Sequence, residues 1–117
     1  MSHAATSHAL TFEIERKGST AIVHCHGKLY AGVCSNLYNA VHPLIPDHKR
    51  IILDLTDLAS VDSMGLGTLV RLYASAKSGG SCLELINLGK QVRELLGITN
   101  LLSLFGDMCE KGVAIKF

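Results

Sequence analysis

Ile51-Ile52-Leu53-Asp54-Leu55-Thr56-Asp57-Leu58-Ala59-Ser60-Val61-Asp62-Ser63-Met64-Gly65-Leu66-Gly67-Thr68-Leu69 is the stretch that decides the fold. Ile51 to Leu55 is a short apolar run rich in β-branched residues, set behind Lys49-Arg50. It predicts a central strand buried on both faces. Asp62-Ser63 then opens a helix with a predicted apolar stripe of Leu66, Leu69, Val70, Tyr73, Ala74 and Lys77. Gly79-Gly80 ends that helix. A buried strand, a short loop and a helix start, in that order, are parts of a parallel sheet with helical crossovers.

Upstream, Leu10 to Glu15 alternates apolar and polar residues, and Thr20 to Gly27 does the same. With Lys17-Gly18-Ser19 as the turn, the two form an antiparallel hairpin. Ala21, Val23 and Cys25 face the core in this reading, and Ile22, His24 and His26 the other side. Gly32 to Leu44 carries Val33, Leu37, Val41 and Leu44 at helical spacing, closed by Pro43 and Pro46. Downstream, Cys82 to Leu88 predicts a strand, and Val92, Leu95 and Leu96 a helix stopped near Gly97. A short last strand is placed at Ser103 to Phe105; Met108 to Phe117 is ambiguous, since Gly112 weakens a marginal helix. The result is a single α/β domain over residues 10–117, behind a disordered tail over residues 1–9. Its sheet is mixed, mostly parallel and four- to five-stranded, with helices mainly on one face.

The composition supports one domain with an aliphatic core. Apolar residues make up 48% of 117, but aromatics only 5%, so Leu, Ile, Val and Ala must fill the interior. The net charge is +1, with no basic stripe, which gives nucleic acid and anionic membranes nothing to hold. No stretch approaches the ~20 apolar residues of a membrane span, and the N-terminus lacks the pattern of a secretory signal. Cys25, Cys34, Cys82 and Cys109 are not at metal spacing. They read as reduced, mostly buried thiols in a cytoplasmic protein.

Ser63 falls in the first turn of its helix, where unpaired N–H groups point outward. The same turn holds Gly65 and Gly67, each costing about 1 kcal/mol in helix propensity. They make sense if something approaches that turn closely. The segment Asp62-Ser63-Met64-Gly65-Leu66-Gly67 closely resembles the motif of the STAS domain, shared by sulfate transporters and anti-sigma factor antagonists. There a strand is followed by Asp, two hydroxyl residues and Gly-Leu-Gly. Gly27-Lys28-Leu29 resembles the family's Gly-x-Leu, Gly79-Gly80 its glycine pair, and Leu96-Gly97-Ile98-Thr99-Asn100-Leu101 its third-helix ending. The resemblance covers nearly the whole chain. Two positions depart from it: Tyr30 stands where an acidic residue often follows Gly-x-Leu, and Met64 at the second hydroxyl position.

The resemblance to the antagonist branch implies a phosphorylation-controlled partner switch. Ser63 would be the residue phosphorylated by a partner anti-sigma factor that is also a serine protein kinase, and phosphorylation would break the complex. The implied partner-binding segment comprises Asp57, Asp62 and Ser63 through Gly67. Two other classes fit the same fold: a constitutive adaptor subunit of an ABC-type lipid transport complex, and a small-ligand or nucleotide sensor. Plainer readings stand beside these. Ser63 could be only a helix-start residue. Asp62 reads as a capping and loop-ordering residue, and Asp54 and Asp57 as loop charges at a strand end. His24 and His26 read as an exposed strand face, because no third metal ligand accompanies them. Tyr30 and Tyr38 suit packing beside the first helix as well as partner contact. No nucleophile, base and orienter form a set, and no phosphate loop or dinucleotide fingerprint occurs. The chain is therefore expected to bind proteins rather than catalyse, without metal or cofactor.

Overall fold

The computed structural model describes residues 10–98 and the backbone of 115–116. The hairpin forms as β1 (Thr11–Lys17) and β2 (Thr20–Leu29), antiparallel, with Lys17 opposite Thr20. Gly18 closes it at φ +60°, a left-handed conformation that glycine adopts without steric cost. The long strand β3 (Arg50–Val61) lies parallel to β2 on one side and to β4 (Cys82–Ile86) on the other. A two-residue β5 (Ile115–Lys116) extends the parallel part, so the sheet order is β1-β2-β3-β4-β5. The mixed, mostly parallel sheet of the sequence reading is the sheet observed. The tail over residues 1–9 and the strand expected at Ser103–Phe105 lie outside the described residues.

Three α-helices cross between strands: α1 (Cys34–Val41), α2 (Ser63–Ser78) and α3 (Lys90–Ile98). The first is shorter than its apolar stripe. It is flanked by 3-10 turns at Ala31–Val33 and His42–Asp47. Pro43 has no N–H to continue the α-helical ladder, so the chain tightens through Pro43 and Pro46, still burying Leu44. In α2 the buried set is Gly65, Leu66, Thr68, Leu69, Leu72, Tyr73 and Ala76. Leu72 and Ala76 replace the expected Val70, Ala74 and Lys77, of which Val70 is half-buried and the others exposed. Apolar side chains occur all round this helix, so spacing alone leaves its inner face uncertain by one position.

All three helices feed one core cluster with the inward residues Ala21, Val23, Ile51, Leu53, Leu83 and Leu85. β3 is buried completely on that face only; Ile52 and Asp54, on the other, are half-buried. The expected burial on both faces is thus met on one. The opposite face mixes the half-buried Ile22, Ile52 and Ile86 with polar residues, and it carries an ion pair from Arg50 Nε to Glu84 Oε2 at 3.0 Å, with Glu84 itself only 2% exposed. Cys25 and Cys34 are buried thiols, and burial pushes Cys25 up to about 12. Cys82 is in a disulfide, contrary to the reading of reduced thiols throughout.

Candidate functional site

β3 runs beyond the expected Leu55 to Val61, and the chain turns into α2 at Asp62. Asp62 is extended (φ −96°, ψ −177°), the geometry of a helix cap. Its Oδ1 accepts from the N–H of Gly65 at 2.8 Å, and its Oδ2 from the N–H of Ala31 at 3.1 Å. Its own N–H donates to the Leu29 carbonyl at 3.2 Å, and its carbonyl receives the N–H of Leu66 at 2.9 Å. One carboxylate therefore caps the helix and ties it to the end of β2, as the capping and loop-ordering reading requires.

Because Asp62 is the cap, Ser63 is free of that duty. Ser63 is the first residue of α2, exposed, and its hydroxyl makes no hydrogen bond among the described residues. No base is bonded to it either, so nothing here activates it as a nucleophile of its own. It can accept a group delivered by another molecule. A negative charge placed there would lie at the positive end of the α2 dipole.

The two glycines of this turn have different reasons. A Cβ at Gly65 would overlap the Leu29 carbonyl oxygen and stand 2.9 Å from both Leu29 Cγ and Val61 Cγ1. The close approach foreseen for this glycine comes from the domain's own β2 and β3. Gly67 is exposed, and a Cβ there would meet nothing within 4 Å. Gly27 has a third role: φ is +101° where the β2–β3 register shifts, after which Leu29 points into the core.

Leu66 is buried in the core. Met64, 59% exposed, and Tyr30, 42% exposed, present apolar surface. Tyr30 is held by a hydrogen bond between its hydroxyl and Ser60 Oγ at 2.8 Å, with Lys28 Nζ 5.9 Å from the ring centre. Tyr38 belongs elsewhere: its ring stacks on His42 at 5.0 Å, with the Arg71 guanidinium 4.4 Å above it.

Asp57 is not gathered with this group by any contact among the described residues. It lies within β3, and its Oδ2 is 3.0 Å from His26 Nδ1. His26 Nε2 lies 3.7 Å from Glu13. One register step away, His24 bridges Asp54 Oδ2 at 2.9 Å and Glu15 Oε1 at 3.2 Å. The ring nitrogens of both histidines thus face carboxylates. Among the described residues no group of three or more His, Cys, Asp or Glu side chains is placed to hold a metal. Hydrogen bonds to Glu15 and Asp54 hold His24 above its ordinary value, against the downward pull of burial. Burial pushes Asp54 up, but hydrogen bonds from Thr56 and Asn87, with His24, outweigh it and hold Asp54 at about 2.

Sequence reasoning missed Gln91. Its side chain, from the first turn of α3, bonds both backbone groups of Val61. No periodicity or motif signals such a contact, because Gln91 is an exposed polar residue at the start of a helix. A groove of about 490 Å³, lined by His42, Ile45, Pro46, Ala74, Ser78 and Gly79 among others, opens at the far end of α2 from Ser63.

A family model of the STAS domain matches residues 11–113. The TM1081 homolog of Thermotoga neapolitana, named a candidate anti-sigma factor antagonist, is 37% identical over 54 residues, or 46% of this chain and 48% of that protein. The chain thus spans about half the length of the curated relatives it matches. Among solved structures, TM1081 of Thermotoga maritima, likewise a candidate antagonist, superposes with a TM-score of 0.74 at 23% identity, covering 91% of this chain and 86% of the other. The Bacillus cell fate determinant SpoIIAA in its phosphorylated form gives 0.67 at 17% identity, covering 84% and 87%. At such identities the structural likeness speaks for the fold. The family model speaks for more, since it spans nearly every described element and contains the strand, cap and helix start built above. This chain belongs to the STAS domain family.

Proposed function

We propose that the chain is an anti-sigma factor antagonist-like partner switch. It binds an anti-sigma factor that is also a serine kinase, in the cytoplasm, through the surface at the start of α2, and phosphorylation of Ser63 releases it. The observation that carries the reading is the Ser63 hydroxyl: exposed, unbonded among the described residues, and first in a helix capped by its neighbour. A phosphate brings a charge of roughly −1.5 to −2 at neutral pH. The helix N-terminus stabilises that charge within the domain. Asp62 already supplies a carboxylate beside it, so a partner fitted to the neutral hydroxyl meets two adjacent negative groups. The domain need not refold, because charge and bulk at the interface suffice. The names of the relatives and the solved phosphorylated neighbour support this reading. The protein acts by binding and has no turnover of its own.

The test is a binding comparison. The partner is captured from the native cell with tagged protein and identified, and affinity is then measured for four forms. The unmodified protein and Ser63→Ala are expected to bind alike, since the hydroxyl makes no bond that the substitution breaks. Enzymatically phosphorylated protein is expected to lose binding, and Ser63→Asp to lose part of it. If Ser63 phosphorylation leaves affinity within a factor of about two, well under 1 kcal/mol, or the kinase modifies another residue, the switch is not here and the adaptor reading replaces it.

A further inference from the structure

β3 has twelve residues and β4 only five. β4 accompanies β3 from Arg50 to Asp54, whereas β2 follows it to Val61. From Leu55 onward, β3 has a strand on one side and none on the other among the described residues. Such an open edge exposes backbone donors and acceptors that need partners. At Val61 the missing strand is replaced by a side chain. Gln91 Oε1 accepts the Val61 N–H at 3.0 Å, and Gln91 Nε2 donates to the Val61 carbonyl at 3.2 Å. A carboxamide carries the same donor and acceptor pair as a peptide unit, so it can dock on a strand edge as a peptide would.

The place of this contact gives it consequence. Val61 precedes the cap residue, and its Cγ1 packs where Gly65 leaves room. The next amide, Asp62 N–H, is bound from the opposite side by Leu29. The two residues before Ser63 are thus gripped from both edges, by β2 directly and by α3 through one side chain.

We infer that Gln91 is a positioning residue for the start of α2, fixing the backbone that presents Ser63 and making α3 part of the switch. The role as part of a switch rests on the reading of Ser63 given above; the positioning role does not. The Gln91 side chain bonds Val61 and not Ser63. It acts through Val61.

The experiment follows backbone amides of the intact chain by NMR, in wild type, Gln91→Ala and Gln91→Glu. Gln91→Ala is expected to lower the hydrogen-exchange protection of Val61 at least tenfold and to shift the amide resonances of Asp62 through Gly65. Leu53 and Leu85, deep in the sheet, are expected to keep their protection, which separates loss of the clamp from loss of the fold. Gln91→Glu supplies a signature that mere space-filling cannot. Protonated at low pH, the carboxyl offers one donor and one acceptor and restores Val61 protection. Ionised at neutral pH, it still accepts from the Val61 N–H but has no donor for the Val61 carbonyl and sets an anionic oxygen against it, so the Val61 carbonyl-carbon and Asp62 amide resonances move with the titration of the carboxyl. Val61 protection within twofold of wild type in Gln91→Ala, unmoved Asp62–Gly65 resonances, or Val61 carbonyl-carbon and Asp62 amide resonances in Gln91→Glu that do not move with pH each overturns the positioning role. With the kinase in hand, Gln91→Ala is expected to slow Ser63 phosphorylation severalfold; an unchanged rate removes α3 from the switch. A wild-type Ser63 that no kinase modifies defeats the switch alone, and the amide results still decide the position of α2.

Discussion

The two halves of β3 are held in different ways. From Arg50 to Asp54 the strand lies between β2 and β4, with Ile51 and Leu53 wholly buried. From Leu55 to Val61 it has β2 on one side, and side chains do the rest: Asp54 Oδ1 takes the Thr56 N–H at 3.1 Å, and Gln91 takes Val61. The first half is ordinary sheet interior, whose stability comes from buried area and ladder bonds. The second is individually tied, and it ends at the residues proposed to switch. Local stability in a domain is uneven, and segments that must meet partners come from its less reinforced parts. The contrast makes Asp54, where the halves meet, a junction bonded to Thr56, Asn87 and His24 at once.

The largest effect is expected in the first half. Leu53→Ala opens a cavity in a sheet with no slack, and should destabilise by about 2–5 kcal/mol in chemical denaturation. A loss below 1 kcal/mol would show that the interior half is not the anchor. Next comes the second half's tightest contact. Gly65→Ala drives a methyl into the Leu29 carbonyl and Val61, and should cost about 1–3 kcal/mol while displacing the start of α2. If it stabilised the protein, as helix propensity alone predicts, the close approach would be wrong. Asp62→Ala removes a cap and the tie to Ala31, for a loss of about 1 kcal/mol. Asp62→Asn, which keeps one acceptor for the Gly65 N–H but sets its amide NH2 against the Ala31 N–H, should recover only part of it.

The junction gives a pH dependence. A histidine raised in the folded state stabilises fully below its unfolded value of 6.5, and that contribution is lost as pH rises through the folded value. A carboxylate lowered from 3.8 to about 2 stabilises above 3.8 and loses that contribution as pH falls toward 2. His24 and Asp54 therefore support the fold best between roughly pH 4 and 6.5. The unfolding midpoint should decline above pH 6.5 in the wild type and decline less in His24→Gln; equal slopes would assign the effect to other histidines. The smallest effect concerns Gly67, exposed with open space at its Cβ position. Gly67→Ala should raise stability by up to about 1 kcal/mol, and weaken partner binding if the partner sits close on this turn. A variant both more stable and fully competent would release Gly67 from the interface.

Legible in the chain alone were the hairpin, the mixed sheet with its helical crossovers, and the cap and helix start at Asp62-Ser63; the run of β3 on to Val61 and the strand β5, in a stretch the sequence leaves ambiguous, were not. The legible parts follow from signals between near neighbours: alternation in β1 and β2, an apolar run at Ile51–Leu55, and an Asp before a helical stripe. Packing in three dimensions settles what distant residues do to one another. It set the inner face of α2 at Leu72 and Ala76, because apolar residues on several sides leave that choice to packing. Asp57 went to His26, since strand register fixes which side chains meet across β2 and β3. Ala31 went to Asp62, Glu84 to Arg50, and Gln91 to Val61, 30 residues away. A hydrogen bond between residues far apart leaves no period and no motif in the chain; it exists only once β4 has ended early and α3 has come to lie against the open edge of β3.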